Sequence, residues 1–137
     1  MATKVLDSHA LLAFFQDEPG AEDVERLLAK AEAGTHTLLL CVVNWGEIYY
    51  NIARKVSPEV AEEKAREIAG MSIEVVPVEA DLRLARQAAL YKASGKLAYA
   101  DAFAAALAKL RNAELITGDT DFKQVEREIK IGWLSRA

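Results

Sequence analysis

Short apolar runs alternate with longer helical stretches along this chain, and no Asn-Gly or Asp-Gly hairpin turn joins two of the short runs. Residues 4–6, 37–41, 73–76, 115–117 and 131–134 read as strands, the last of them the weakest. Residues 10–15, 21–33, 44–55, 57–70, 79–94, 99–111 and 122–127 read as helices. Several stops are explicit: Pro19-Gly20, Gly34, Gly70 and Gly95 each close a helical stretch, and Ser57-Pro58 opens one. Asn44 and Glu47 have the spacing of a capping pair, which predicts a helix starting near Asn44. Strands too short and apolar to face water, each followed by a helix, predict a mostly parallel sheet of four to five strands. Helices cover both of its faces. A chain of 137 residues with no linker or repeat makes one domain of that kind, spanning residues 1–137.

Counting excludes several chemistries. The seven glycines stand at 20, 34, 46, 70, 95, 118 and 132, so neither GxGxxG nor GxxxxGK can be written. Lys plus Arg is 17 against 21 for Asp plus Glu, a net charge of −4, so any nucleic-acid contact must be local. The single cysteine, Cys41, rules out an internal disulfide and has no His or Cys at metal-ligand spacing. The longest apolar runs, 37–43 and 102–108, are far shorter than the roughly 20 residues of a membrane span. Residues 1–7 carry no apolar leader, and the expectation is a cytoplasmic protein.

In open α/β sheets chemistry gathers beyond the carboxyl ends of the strands, and acids stand there. Asp7 follows the first strand and Asp119 the fourth. Each can be a helix cap or a ligand. Asp101 breaks the otherwise apolar face through Leu97, Ala104, Ala105 and Ala108; it is either a first-turn acid facing the helix dipole or a buried functional carboxylate. The small alanines leave room there for an ion. Glu47 is either the partner of Asn44 in a capping pair or a fourth acid of the site. His9 and His36 are isolated, and no GxSxG turn is present. An aspartyl phosphatase would need DxD where the chain has Asp7-Ser8-His9. A phosphotransfer receiver would need an acid where strand 73–76 meets Pro77.

Leu6-Asp7-Ser8, Val43-Asn44-Trp45-Gly46-Glu47-Ile48, Leu97-Ala98-Tyr99-Ala100-Asp101-Ala102 and Leu115-Ile116-Thr117-Gly118-Asp119-Thr120-Asp121-Phe122 resemble, in order, the four acidic motifs of PIN-domain ribonucleases. Bacterial and archaeal toxins of the VapC type are similar in size and layout, and the resemblance covers essentially the whole chain. It implies the three-layer PIN-like fold and a metal site formed by Asp7, Glu47, Asp101 and Asp119, with Asp121 as an accessory. Ser8 and Thr117 would support that site. It also implies endonucleolytic RNA cleavage leaving a 5′-phosphate and a 3′-hydroxyl, a homodimer, and an antitoxin partner whose basic or apolar tail covers the acidic cleft. No acid of the four motifs is missing. The chain departs from the family pattern at His9, where the family more often carries a small or apolar residue.

The physics of that assignment is consistent. At about 5 Å and an effective dielectric near 20, each pair of like charges costs roughly 3 kcal/mol, so converging carboxylates need a cation. Oxygen ligands without His or Cys select Mg²⁺ or Mn²⁺. Lys92, Lys96 and Arg54-Lys55 are candidate phosphate contacts or simply solvated helix surface, and Trp45, Tyr49 and Tyr50 either line a partner groove or pack in the core. Three alternatives stay open: a housekeeping RNA-processing nuclease of the same kind, a non-catalytic acidic binding module, and a phosphomonoester hydrolase.

Overall fold

The computed structural model describes residues 2–136; Met1 and Ala137, the two ends of the expected domain, lie outside the described residues. Five strands form one sheet: β1 (Ala2–Leu6), β2 (His36–Cys41), β3 (Ile73–Val76), β4 (Glu114–Thr117) and β5 (Ile131–Trp133). Their order is β3-β2-β1-β4-β5, and every neighbouring pair is parallel. The helices among the described residues are α1 (Ser8–Phe15), α2 (Ala21–Glu32), α3 (Val42–Lys55), α4 (Pro58–Ala69), α5 (Arg83–Ser94) and α6 (Tyr99–Leu110), with a 3-10 helix at Thr120–Val125. The expected α/β architecture is present, with all five strands in place.

The strands are apolar on both faces, and their period of two divides them between two cores. Val5, Leu39, Cys41 and Leu115 pack with Leu84, Ala88 and Tyr91 of α5 and with Phe103 and Leu107 of α6. Leu6, Leu38, Leu40 and Ile116 pack on the opposite face with Leu11 of α1, Val24 of α2, Ile48 and Ile52 of α3, and Ala61 and Ile68 of α4. Three layers result. Ala102, Ala104, Ala105, Ala106 and Ala108 are all buried, and their small side chains let α6 lie close against its neighbours. α4 begins where its sequence says: Ser57 Oγ accepts from Val60 N at 3.1 Å, and Pro58 takes the first helical position.

Strand β1 and helix α1 each begin two residues earlier than expected, at Ala2 and Ser8, and other boundaries differ for identifiable reasons. α3 starts at Val42, directly from β2, with Cys41 at the cap position and Asn44 already inside the first turn. The anticipated Asn44–Glu47 capping pair does not form, because the Asn44 amide is turned to α6 and donates to Ala100 O at 3.0 Å. α5 starts at Arg83 rather than near residue 79: Leu82 holds a left-handed φ of 67°, and Leu82 N bonds Glu79 O, which closes a turn before the helix. The final helical stretch is the tighter 3-10 form at Thr120–Val125, not an α-helix over 122–127.

A carboxylate cluster at the switch point of the sheet

From β1 the chain winds outward to β2 and β3, then returns across the sheet to β4 and β5. The carboxyl ends of β1 and β4 therefore flank the point where the winding reverses, which is where a crevice opens in such sheets. Leu6 pairs in register with Ile116, so Asp7 and the segment Thr117–Asp119 emerge side by side.

Each of the two strand-end acids caps the helix that follows it. Asp7 is only 1% exposed. One of its oxygens accepts from Ala10 N at 2.8 Å, capping α1, and the other accepts from Thr117 Oγ1 at 2.5 Å. Asp119 Oδ1 accepts from Asp121 N at 2.9 Å, capping the 3-10 helix, and its own N–H donates to Thr117 Oγ1 at 3.0 Å. Thr117, fully buried at the end of β4, thus ties the two acidic loops together through one hydroxyl.

The other acids come from α3 and α6. Asp101 lies in the first turn of α6, and Glu47, on α3, accepts a hydrogen bond from Ser8 Oγ. Carboxylate oxygens of Asp101, Asp119 and Asp121 lie within 4.8 Å of one another. Asp121, read from the sequence as an accessory, is therefore part of the tightest group, while Asp7 and Glu47 carry hydrogen bonds beside it. None of the ion pairs among the described residues reaches these five acids.

Their electrostatics follow from that isolation. Burial pushes Asp7 up to about 7, against the hydrogen bonds from Thr117 and Ala10 that favour its charged form, and the charges of Asp101 and Asp119 push it further. Asp101 also rises to about 7, mainly by burial and then by the charges of Asp119, Glu47 and Asp121. A donor set of carboxylate oxygens with no nitrogen, sulfur or cation among them suits a hard divalent ion.

Asn44 is the residue whose role the sequence concealed. Fully buried, it links α3 to the backbone carbonyl that precedes Asp101, and so couples the helix of Glu47 to the helix of Asp101. Its Oδ1 has no protein partner. The available signal was an asparagine at helical spacing from Ile48 and Ile52, masked by the equally good capping pattern. The candidate cations are less engaged with the cluster: Lys92 Nζ donates to Leu97 O at 2.9 Å, and Arg54 lies over the Tyr50 ring. Trp45 and Tyr49 stack at 5.5 Å beside the packed seam of α3 and α4, where Ile48, Ile52, Ala61 and Ile68 are buried.

The shared hydroxyl gives a direct test. Thr117→Val should destabilise the metal-free protein by about 1–3 kcal/mol, because it strips a buried carboxylate of its donor and Asp119 N of its acceptor. Thr117→Ser should restore most of the loss. Chemical denaturation of the three proteins measures both, and equal stability of wild type and the valine variant would disprove the bridging role.

The PIN-domain family model matches residues 4–128. A search of curated proteins gives no significant match. Among solved structures, VapBC2 from Rickettsia felis bound to a promoter DNA fragment is similar at a TM-score of 0.72 and 17% identity, covering 97% of this chain and 99% of that one. VapC20 from Mycobacterium tuberculosis, a toxin that cleaves the sarcin-ricin loop, is similar at 0.65 and 18%, covering 89% and 94%. VapBC-5 from the same organism is similar at 0.61 and 20%, covering 100% of both chains.

Proposed function

The chain belongs to the PIN-domain family, and we propose that it is a divalent-metal-dependent endoribonuclease, the toxin of a VapBC-type toxin–antitoxin pair. One observation carries this reading: acids from four separate segments meet at the sheet's switch point without a cation among them, and two are raised to about 7. Such an arrangement is costly unless something positive binds it.

Asp101, Asp119 and Asp121 would hold the ion, with Asp7 and Glu47 beside them, and Mg²⁺ or Mn²⁺ fits their oxygen donors. When bound, the ion supplies Lewis-acid stabilisation of the phosphodiester and a water acidified toward neutral pH. The protein's own share is positional. Thr117 orients Asp7 and the Asp119 loop, Ser8 orients Glu47, and Asn44 sets the spacing of the helices bearing Glu47 and Asp101. Those contacts keep the oxygens in place before any ligand arrives, which lowers the reorganisation needed in the transition state.

In this reading residues 1–137 are a single nuclease domain acting in the cytoplasm. No helix among the described residues is long and apolar enough to cross a membrane. The VapBC-5 neighbour is a member of the VapBC family of toxin–antitoxin systems. An antitoxin segment covering the acidic cleft, with the partly exposed Trp45, Tyr49 and Tyr50 of α3 as its apolar contacts, is the partner this reading expects. The test is cleavage of bacterial RNA by the purified chain in Mg²⁺ or Mn²⁺. Activity should vanish in EDTA and return with the metal, and the active species should scatter light as a dimer of about 30 kDa, twice the 15.0 kDa chain. Cleavage that survives EDTA, or turnover of small phosphate monoesters instead of RNA, would refute the proposal.

A further inference from the structure

His9 directly follows the first acidic segment, and the proposed chemistry leaves it unused. It is exposed in the first turn of α1, two residues after Asp7, and no hydrogen bond or ion pair engages its ring among the described residues. Its free end rests against Gly118, between Thr117 and Asp119. A Cβ placed on Gly118 would stand 2.5 Å from His9 Cε1, 3.1 Å from Nδ1 and 3.4 Å from Nε2. Gly118 does not have a left-handed φ. A methyl at 118 would therefore push aside the exposed end of the imidazole; the backbone of Gly118 sets no such demand.

That placement sets both ring nitrogens at the acidic loop. The neighbouring hydroxyls are already spent, Ser8 on Glu47 and Thr117 on Asp7, and the Asn44 amide on Ala100 O. A polyanion laid across a cluster of acids needs donors that the acids cannot provide. A neutral imidazole carries one N–H, so no protonation is needed.

We infer that His9 contacts the substrate directly, donating a hydrogen bond to a phosphate oxygen of the RNA strand from a position that Gly118 leaves open to its ring. This inference rests on the ribonuclease reading above. It is tested with a long single-stranded phage RNA in Mn²⁺, using His9→Ala, His9→Gln, Gly118→Ala and the double variant His9→Ala/Gly118→Ala. His9→Ala should raise KM about ten- to hundredfold, the effect of one hydrogen bond to a charged group. Mn²⁺ affinity, read separately by titration calorimetry, should stay within about twofold of wild type. His9→Gln should recover most of the loss. Gly118→Ala should resemble His9→Ala by displacing the ring, and the double variant should be no worse than His9→Ala, since the clash is then gone.

An unchanged KM in His9→Ala, a glutamine variant as impaired as alanine, or additive losses in the double variant would each overturn the inference. A tenfold loss of Mn²⁺ affinity in His9→Ala would do so too, by assigning His9 to the metal site. Failure of the wild type to cleave RNA would instead remove the ribonuclease reading, and this inference with it.

Discussion

Asp101→Asn should abolish measurable RNA cleavage, a loss of at least about a hundredfold, while leaving the fold intact. The asparagine keeps the size of the side chain but replaces an anionic oxygen with a neutral amide, a poor ligand for a hard cation. The fold should persist because Asp101 accepts no hydrogen bond among the described residues; its surroundings are buried alanines and the carboxylates of Asp119 and Asp121. Cleavage assays with circular dichroism on the same samples measure both halves. A folded variant retaining more than a tenth of wild-type activity would remove Asp101 from the chemistry.

Without metal, the protein should lose stability between about pH 4 and pH 7, opposite to the usual behaviour of a carboxylate held by a cation. Asp7 moves from an ordinary 3.8 to about 7 on folding, and Asp101 does the same. A raised value means that the folded state binds more protons than the unfolded one, so stability falls as pH rises from the unfolded to the folded value. For Asp7 the loss is on the order of 4 kcal/mol across that window; for Asp101 it is smaller, because its carboxylate is partly exposed and screened. Mg²⁺ or Mn²⁺ should reverse the trend at neutral pH by binding the native cluster, adding about 2.7 kcal/mol at a hundredfold excess over Kd. Asp101→Asn should raise the apo Tm at pH 7 and shrink the gain from metal. Thermal melts of both proteins at pH 5 and pH 7, with EDTA and with millimolar Mn²⁺, are the measurement. A wild-type Tm that rises from pH 5 to pH 7 in EDTA, or that does not respond to Mn²⁺, would contradict the electrostatic picture.

The mostly parallel sheet was legible because strand and helix periods are local properties, and the missing hairpin turns left few other pairings. Asp101 stood out for a related reason: on a helix repeat of 3.6, an acid surrounded by alanines has nowhere polar to face. The errors occurred where one residue type serves two purposes. Asn44 and Glu47 satisfy the spacing of a capping pair, yet the helix starts earlier and Asn44 reaches across to Ala100. Nothing within a few residues of Asn44 encodes a carbonyl 56 positions away. Asp7 and Asp119 each left the choice between cap and ligand open, and the structure makes both of them caps, Asp119 within the tightest carboxylate group and Asp7 beside it.

The sequence by itself determined the element order, the apolar faces of the strands and the acids at their carboxyl ends, because these depend on periodicity and residue type within one segment. Tertiary structure decided which acids meet. Asp121 joins Asp101 and Asp119, while Asp7 is buried under the hydroxyl of Thr117, because the register of β1 against β4 brings residues 110 positions apart together. It also brought the ring of His9 against Gly118. Distances between segments far apart in the chain are set by packing two cores against one sheet, and no local pattern carries them.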